Sequence, residues 1–572
     1  MKIFWGAICA LALGAVFGNA KPSVIAINPI SLNYRFTADK NNKNPMREAA
    51  DPEIVVFKGK YYLFASKSAG YWTSFDLANW KFIPCENIAA FSEYAPAVLV
   101  RGGKLYLMAS VHDKYYFTEN PDDVSKWQAH KLDFDRVYPD PALFQDDDGR
   151  VYFYWGSHFK DPIMGFEVDA ENDFKKIGDE KVLIEHNFER HGFEKGGDNN
   201  VLDESGWNEA PHVIKRNGRY YLQFAANGTQ YRSYADGIYS SENPLGPYEF
   251  MPHSPFSEKR GGFMGSAGHG AIFKDLHGNY WQVATMIVGV RHWFERRLGL
   301  FPVFFDEKGF PYALTEMTDA PFFIPQKKEN FQTFKFSAGM NLLSYGKPAK
   351  ASSSKENFKA ENAVDERVES WWAAESGLKG ERLEVDLHGQ SVVEAVHVNF
   401  ADEGFKVWQD GEPPVYRYKI LASSDGIRWK VLVDCSKRDK DAPHELIVLK
   451  KPEKARYVAV ENSENLSGGV FSISGFRVFG KGNIPPPQKV SNFYAKRGFE
   501  DRRNIELSWD KSENAEKYVL RWGIEKGKLF SERTVYENFV KGSFLNVESP
   551  YFFSVQAVNS NGKSPLSFAE TK

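Results

Sequence analysis

Four side chains capable of acid–base chemistry recur at similar points of separate stretches of the chain. Asp51 lies in "ADPEIVVF", Asp140 in "PDPALFQ", Glu209 in "NEAPHVI" and His269 in "GHGAIF". A single acid before proline is most often a turn or cap residue. Its recurrence in three stretches favours a shared site instead. Carboxylates held close together repel, so we expect at least one to have a raised pKa while the others stay ionised.

The elements around these residues are five copies of one hairpin, each with an apolar strand, a glycine turn and an aromatic strand. The copies start at residues 51, 95, 140, 209 and 269, so they are 44, 45, 69 and 60 residues apart. These spacings fit a four-stranded blade with insertions in the later copies. Radial repetition of such blades predicts an all-β fold with a five-bladed β-propeller over residues 21–335. A two-sheet sandwich is the alternative.

A propeller would bring the repeated positions together. The first strand of each blade lines the central channel, so the three acids and the histidine should converge on one funnel. One carboxylic acid could protonate a leaving oxygen while a carboxylate activates water from the opposite face of a sugar. A third acid could tune the pKa of the proton donor or orient the sugar. Glycoside hydrolysis requires this combination of groups.

With these motifs, roughly residues 45–320 resemble glycoside hydrolase family 43. The resemblance implies that Asp51 is the general base, Asp140 the modulator of the acid's pKa, and Glu209 the general acid. It also implies a role for His269 in the "GHG" motif. The late arginine that holds substrate hydroxyls falls in "FERRLGLF", on Arg296 rather than on its neighbour.

The same resemblance implies hydrolysis with inversion at the anomeric carbon and no redox or organic cofactor. Members of the family act mostly on arabinofuranosides, xylosides and some galactosides or galactofuranosides. Insertions such as residues 184–207 could wall off the funnel, which favours an exo-acting enzyme over an open endo-acting groove.

Further candidates for substrate binding are aromatic. Tyr71 and Trp72 in "KSAGYWTS" could stack on a sugar ring, or could fill the core between blades. Tyr94 stands at the start of the second copy and joins the substrate-binding candidates with His269 and Arg296. For His269, a packed core histidine is an equal alternative to a channel residue that orients a carboxylate.

Metal binding receives little support from the sequence. The run Asp146-Asp147-Asp148-Gly149 lacks the alternation and the distant glutamate of a calcium loop, so a solvated hairpin turn is expected. Three acids and one histidine also lack the ligand spacing of a zinc site. We therefore expect no catalytic metal and no required cofactor.

Two further units are predicted after the propeller. Residues 340–480 resemble a discoidin-like, coagulation factor type C β-sandwich, in which Asp365 of "AVDERVESWW" matches a frequent calcium ligand. Gly475 stands where that family commonly has a second acidic ligand, so a structural calcium ion is an alternative only. Sugar binding and a packing role remain equal alternatives for this unit.

The last unit follows the linker "GNIPPPQK" and covers residues 488–572. It resembles a fibronectin type III domain, with Trp509 and Tyr518 as core aromatics. We expect a spacer that can be removed near residue 482 without harm to hydrolysis. The junction 321–341, by contrast, is rich in phenylalanine and should be buried.

The first twenty residues and the composition bear on location and partners. Met1–Ala20 has a cationic start, an apolar core and a small-residue end, which predicts a cleaved signal peptide and a secreted or periplasmic protein without a membrane anchor. Loss of Lys2 changes the formal net charge from −3 to −4, a near balance that argues against nucleic-acid binding. Only Cys85 and Cys435 remain, in different units, so no disulfide framework is expected.

The expected function is an exo-acting, inverting glycoside hydrolase that acts on plant cell-wall carbohydrate. Terminal α-L-arabinofuranose is the leading substrate, with β-D-xylosides and β-D-galactofuranosides or galactosides as alternatives. A carbohydrate-binding protein without activity is the alternative of another class. The presence of all three acids favours the enzyme.

Overall fold

The structure is a computed structural model that describes residues 23–37, 46–405, 415–465 and 468–571. The predicted signal peptide lies outside the described residues. The described chain is all-β, with short 3₁₀ turns at Ala89–Ser92, Val124–Lys126, Gly192–Glu194, Asp198–Asn200, Glu316–Asp319 and Ala360–Ala363. Within it, no helix has the length and apolar character needed to cross a membrane.

Five antiparallel sheets of four consecutive strands follow one another in the first part of the chain. Blade 1 contains Glu53–Phe57, Lys60–Phe64, Gly70–Ser74 and Lys81–Pro84. Blade 2 contains Ala97–Arg101, Lys104–Met108, Lys114–Thr118 and Gln128–Lys131. Blade 3 contains Ala142–Gln145, Val151–Trp155, Ile163–Asp169 and Lys175–Ile184.

The last two blades carry the longer strands. Blade 4 contains Trp207–Arg216, Arg219–Asn227, Ala235–Ser241 and Glu249–Phe250, with Ser157–His158 added at its inner edge. Blade 5 contains Gly265–Lys274, Tyr280–Ile287, Arg296–Phe305 and Pro311–Ala313. Each first strand contacts the first strand of the next blade, and blade 5 contacts blade 1. This closed ring is a five-bladed β-propeller.

Apolar side chains fill the space between neighbouring blades, as expected for sheets packed face to face. Val24–Ala26 pairs with Phe322–Ile324, next to Arg35–Thr37 paired with Met46–Glu48. The junction after blade 5 returns to this core, where Phe331 packs edge-on against Trp281 at 5.1 Å. Of the five phenylalanines predicted to be buried in this junction, Phe322, Phe331 and Phe336 are buried and Phe323 and Phe334 are half-buried.

The middle unit is one eight-stranded sheet that wraps around a single apolar core. Its strands are Asn341–Leu342, Ala349–Ala351, Trp372–Ala373, Arg382–Phe400, Tyr416–Ser423, Lys430–Asp434, His444–Asn465 and Ser472–Lys481. Gly475 packs against the Phe263 ring of the propeller, so this end of the sheet lies in an interface. Cys85 of blade 1 and Cys435 of the middle unit are free, buried thiols.

The last unit is a two-sheet sandwich around Trp509, Tyr518 and their apolar neighbours. One sheet holds Tyr494–Arg497, Ile505–Ser508 and Phe539–Gly542. The other holds Lys517–Gly523, Ser531–Val535, Phe552–Asn559, Gly562–Lys563 and Ser567–Glu570. Its assignment as fibronectin type III stays a prediction.

The interpretation of the last unit as a spacer is wrong, because this sandwich packs directly on the propeller. Phe530 contacts the rings of Phe304 and Tyr312 in blade 5, with centroids 5.0 and 4.8 Å away. The Asn546 side chain donates to the carbonyl of Ser254 at 2.7 Å. A proline-rich linker is compatible with this docking because proline stiffens a connection without dictating what it connects.

Candidate active site

Each blade begins with a residue in the left-handed backbone region, just before its first strand or within the start of that strand. The φ angles are 52° at Asp51, 44° at Ala95, 45° at Asp140, 61° at Ala210 and 43° at His269. Such angles cost a non-glycine residue about 1 kcal/mol or more and concentrate at functional sites. The repeated geometry turns the side chains toward the channel at equivalent points of the ring.

The left-handed residue of blade 4 differs from the start that the sequence predicted for the fourth copy, residue 209. The left-handed residue of blade 4 is Ala210, so Glu209 lies one position earlier and is the equivalent of Tyr94 in blade 2. Glu209 pairs with Ser157 of the added edge strand, and the register shifts between Glu209 and His212. Blade 5 has a similar shift between Gly268 and Ala271, around its own left-handed residue His269, so what differs in blade 4 is that the acid stands one residue before the left-handed position.

Asp51 is buried and held by three neighbours. Its Oδ2 accepts a hydrogen bond from Ser66 Oγ at 2.5 Å, and its Oδ1 lies 3.2 Å from an Arg296 guanidinium nitrogen and 3.2 Å from His269 Nδ1. Burial raises the pKa of Asp51, but Arg296, His269 and the Ser66 hydrogen bond outweigh burial, so the pKa lies below its ordinary value. This carboxylate is ionised at neutral pH.

The pKa of Asp140 is shifted in the opposite direction from that of Asp51. Its Oδ2 lies 3.9 Å from His269 Nδ1, so His269 stands between two carboxylates and lines the channel. Burial, together with the charges of Glu209 and Asp51, raises the pKa of Asp140 to about 7, although His269 opposes the shift. The structure thus assigns to Asp140 the raised pKa expected for one of the three acids.

Glu209 is half-buried and accepts hydrogen bonds on both oxygens. Ser157 Oγ donates to Oε2 at 3.0 Å, and the Tyr234 hydroxyl donates to Oε1. The flanking glycines of the "GHG" motif make room for this arrangement. A Cβ on Gly268 would meet the Tyr234 ring at 2.7 Å, and one on Gly270 would meet Gln282 Nε2 at 2.1 Å. Both are too close for a side chain.

Arg296 is a buried cation shared by two acids. It pairs with Glu48 Oε1 at 2.9 Å and with Asp51 Oδ1 at 3.2 Å, and it donates to Thr229 Oγ1 at 3.2 Å. Its neighbour Arg297 points away and donates to His444 of the middle unit at 2.8 Å. The arginine chosen from the sequence is the one that reaches the channel, but Glu48, only three residues before Asp51, was missed.

Hydroxyl side chains connect the blades around the funnel, and sequence reasoning missed them. The Ser66 hydroxyl accepts a hydrogen bond from the Ala95 amide at 2.8 Å. In the same way, the Ser110 hydroxyl accepts one from the Asp140 amide at 3.1 Å. The Thr285 hydroxyl accepts one from the Asp51 amide at 2.9 Å. Each hydroxyl ends the second strand of one blade and binds the start of the next blade. A signal was present in the repeats, which end "FAS", "MAS", "WGS" and "VAT".

A cavity of about 610 Å³ opens over these groups. Asp51, Asp140, Glu209, His269, Arg296 and Tyr94 all line it. Exposed aromatic side chains form its rim, and Trp293 is 56% exposed. The other rim aromatics are Phe159, Trp207 and Phe294. Residues 196 and 204–207 of the insertion add a wall, so the funnel combines aromatic rings at its rim with the acids in its lining.

Tyr71 and Trp72 lie outside this funnel. Tyr71 is fully buried between blades 1 and 2, stacked on Phe64, and Trp72 is 1% exposed in the core between blades 1 and 5. Their substrate-binding role is wrong because both side chains point into the contacts between sheets. The alternative of core packing is the correct one.

The acidic run in blade 3 forms a turn. The Gly149 amide donates to the Asp146 carbonyl at 3.0 Å, and the Asp146 side chain pairs with Lys215 Nζ at 2.5 Å. Asp365 of the middle unit accepts from Ser370 Oγ and from the Arg367 amide. Over the described ranges, no group of three or more His, Cys, Asp or Glu residues is arranged to hold a metal ion.

Comparison with known proteins identifies two parts of the chain. Residues 42–311 match the family model described as "Glycosyl hydrolases family 43", and residues 348–475 match "F5/8 type C domain". The first match covers all five blades except the last strand of blade 5, and it includes every residue of the funnel named above. The second covers most of the middle unit, as the sequence predicted for a discoidin-like domain.

Among curated proteins, the chain is similar to a "Xylan 1,3-beta-xylosidase" of Vibrio sp, with 26% identity over 40% of this chain and 46% of that protein. It is also similar to "Xylosidase/arabinosidase 43B" of Humicola insolens, with 29% identity over 39% of this chain and 44% of that protein. The chain therefore spans less than half the length of either relative. A solved "thermostable family-43 glycoside hydrolase" aligns over 53% of this chain and all of that one, with 21% identity and a TM-score of 0.43.

Proposed function

We propose, from the premise that residues 42–311 carry a glycosyl hydrolase family 43 domain, that this protein removes terminal sugars by inverting hydrolysis. The observation that carries the proposal is that two of the three acids in one funnel have pKa values shifted in opposite directions. Asp51 is held ionised by Arg296, while the pKa of Asp140 is raised to about 7 by burial beside Glu209. A site with one permanent carboxylate and one retained proton suits acid–base catalysis at neutral pH.

The proposed mechanism assigns one role to each group. Asp51 takes a proton from a water molecule, whose oxygen attacks the anomeric carbon. Glu209 gives its proton to the departing glycosidic oxygen as the bond from that oxygen to the anomeric carbon breaks. Asp140, whose pKa is raised to about 7 by burial and by the neighbouring acids, retains a proton up to that pH and is assigned the role of modulator beside the donor. Since water and leaving group occupy opposite faces, the product has inverted configuration.

Binding of the sugar is proposed to rest on Arg296, His269 and the rim aromatics. The Arg296 guanidinium has a buried Nε without a partner among the described residues, beside nitrogens that already bind Glu48 and Asp51. Its fixed position suits recognition of sugar hydroxyls. The insertion wall closes one side of the funnel, which supports exo action on chain ends or side groups rather than attack within a chain.

Terminal α-L-arabinofuranose is the proposed substrate, and β-D-xylose is the second candidate. Both are five-carbon sugars of similar size, and either would fit in a cavity of about 610 Å³. The printed names of the two relatives, a xylosidase and a xylosidase/arabinosidase, favour keeping xylose as the second candidate. Export to the periplasm or the exterior remains part of the proposal, resting on Met1–Ala20. We also propose that the reaction requires no cofactor and that a calcium ion at Asp365 would not be needed for catalysis.

The experiment that tests the proposal is a panel of aryl glycosides of α-L-arabinofuranose, β-D-xylose, β-D-galactofuranose and β-D-galactose. The anomer first released is followed by NMR. We expect one sugar to be preferred by at least tenfold and its product to be inverted. No release from any glycoside, together with measurable sugar binding, would support the alternative of a carbohydrate-binding protein. A product of retained configuration would remove the role of Asp51.

A further inference from the structure

A second cavity lies beside the funnel and shares a wall with it. Its volume is about 550 Å³, and Phe159, Glu204 and Ser205 line both spaces. Its outer side is formed by Lys160, His186 and Phe188. The two cavities are therefore adjacent along one rim of the funnel, and we call the second one the side groove.

The lining of the side groove combines aromatic faces with polar groups. Phe159 and Trp207 are exposed at the boundary, with ring centroids 5.8 Å apart. Lys160 is exposed on one bank, and the half-buried Phe188 lies on the other. Aromatic faces with nearby hydrogen-bonding groups fit a sugar ring, which has an apolar face and a polar edge.

The outer bank of the side groove is held by the last unit. Arg503 donates to the Phe188 carbonyl at 2.8 Å, and the Val547 amide donates to the Arg190 carbonyl at 2.8 Å. The Gly192 amide donates to Leu545 at 3.1 Å, and His191 forms a β-bridge with Asn546. The insertion thus gains an added strand-like partner from another unit, which limits how far this bank can move.

We propose that the side groove binds the sugar on the leaving-group side of the bond that is cleaved, and that Arg503 is a positioning residue for it. The inference rests on the proposed function, because it assigns a second sugar site to the same reaction. The funnel holds the terminal sugar at its acidic base. The next sugar must leave through the mouth, where the shared rim of Phe159 and Ser205 leads into the side groove.

The test compares two substrates that differ only on the leaving-group side. One is an aryl glycoside of the preferred sugar, and the other is a linear trisaccharide of that sugar. The full-length variants are Phe188→Ala and Arg503→Ala. The controls are Phe568→Ala and Arg521→Ala, which alter a phenylalanine exposed on the last unit and an arginine paired with Glu532 within that unit.

We expect Phe188→Ala to lower kcat/KM for the trisaccharide about tenfold, mainly through KM, with less than a twofold change for the aryl glycoside. A tenfold effect corresponds to the loss of about 1.4 kcal/mol of binding. Arg503→Ala should lower the ratio of kcat/KM for the trisaccharide to kcat/KM for the aryl glycoside about threefold. The two control variants should leave this ratio unchanged. Thermal unfolding of each variant separates loss of fold from loss of binding.

Two outcomes would overturn the inference. An unchanged trisaccharide-to-aryl ratio in both variants would mean that the side groove takes no sugar. Equal losses on both substrates, or a lower Tm for Arg503→Ala without a change in the ratio, would mean that Arg503 stabilises the fold and does not position the sugar. If the wild type cleaves neither substrate, the proposed function itself has failed, and the side groove's role falls with it.

Discussion

At the scale of single residues, neighbours rather than residue type decide what each acid does. Asp51 and Asp140 share the same amino acid, the same left-handed backbone and similar burial. Asp51 has Arg296 at 3.2 Å, whereas Asp140 has no arginine or lysine within ion-pairing distance among the described residues. The low pKa of one and the raised pKa of the other follow from that difference.

Leaving-group dependence should separate the acid from the base. Glu209→Ala removes the proposed proton donor, so it should cost about 10²-fold or more on a natural glycoside but much less on an aryl glycoside with a good leaving group. Asp51→Ala should impair both substrates alike, since water must be activated in either case. Measured kcat/KM values on the two substrates provide the check. The reverse pattern would mean that the two roles are exchanged.

The pH profile should report the proton that Asp140 retains. Because its pKa is raised to about 7, kcat/KM should fall as pH rises through this value, when the proton leaves. The acid limb should lie below the ordinary aspartate range, because Asp51 must stay ionised and its pKa is lowered. Asp140→Asn removes the group that titrates near pH 7, so the alkaline limb at this pH should move or disappear. An unmoved limb would assign it to another group.

At the scale of elements, the end of one blade's second strand organises the start of the next blade. Ser66 connects the two, because its hydroxyl donates to Asp51 and accepts the amide of Ala95. Thr285 closes the ring by accepting the amide of Asp51. The strained left-handed residues are therefore held by side chains that belong to neighbouring sheets, which ties the geometry of the acids to propeller closure.

Ser66→Ala should move the acid limb of the pH profile as well as the stability. The substitution removes a hydrogen bond to ionised Asp51, so the pKa of Asp51 rises. As the pH is lowered, kcat/KM should therefore begin to fall at a higher pH than in the wild type. The unsatisfied amide of Ala95 should cost about 1–3 kcal/mol.

The matched control is Ser68→Ala, which removes a buried hydroxyl bonded to the carbonyls of Ala65 and Gly70 but not to Asp51. It should lower Tm without moving the acid limb. Identical pH profiles for both variants would contradict the role given to Ser66.

At the scale of the whole molecule, the three units are joined by buried polar contacts. Arg47 of the propeller pairs with Asp402 at 2.8 Å and with Asp441 at 2.5 Å in the middle unit. The last unit contacts both blade 5 and the insertion that walls the funnel. Removing residues beyond 482 should therefore lower Tm and impair activity, in contrast to what a spacer would allow.

Arg47→Met should destabilise the protein, and more so at high pH. It leaves Asp402 and Asp441 buried without their cation, at a cost of about 3–5 kcal/mol. Burial already raises the pKa of Asp441 to about 6, and loss of Arg47 raises it further. The folded state then binds more protons than the unfolded state, so stability falls as pH rises above the unfolded value.

Denaturant unfolding at pH 5 and pH 8 measures this difference. The control Arg150→Met removes an exposed pair with Asp148 and should change stability by less than about 1 kcal/mol at either pH. An equal loss at both pH values would show that the two acids are not left charged in the interface.

The sequence by itself determined the propeller and most of its chemistry, because a repeat carries its strands, its turn and its channel position together. Asp51, Asp140 and His269 could be placed for that reason, whereas Arg296 came from the family resemblance. What only the tertiary structure decided depends on contacts between distant elements. Glu209 lies one residue before the left-handed position of its blade, where it pairs with a distant edge strand. Tyr71 and Trp72 turn into the core because alternate residues face opposite sides of a sheet. The docking of the last unit on the funnel wall joins residues more than 300 positions apart, and no local pattern encodes such a contact.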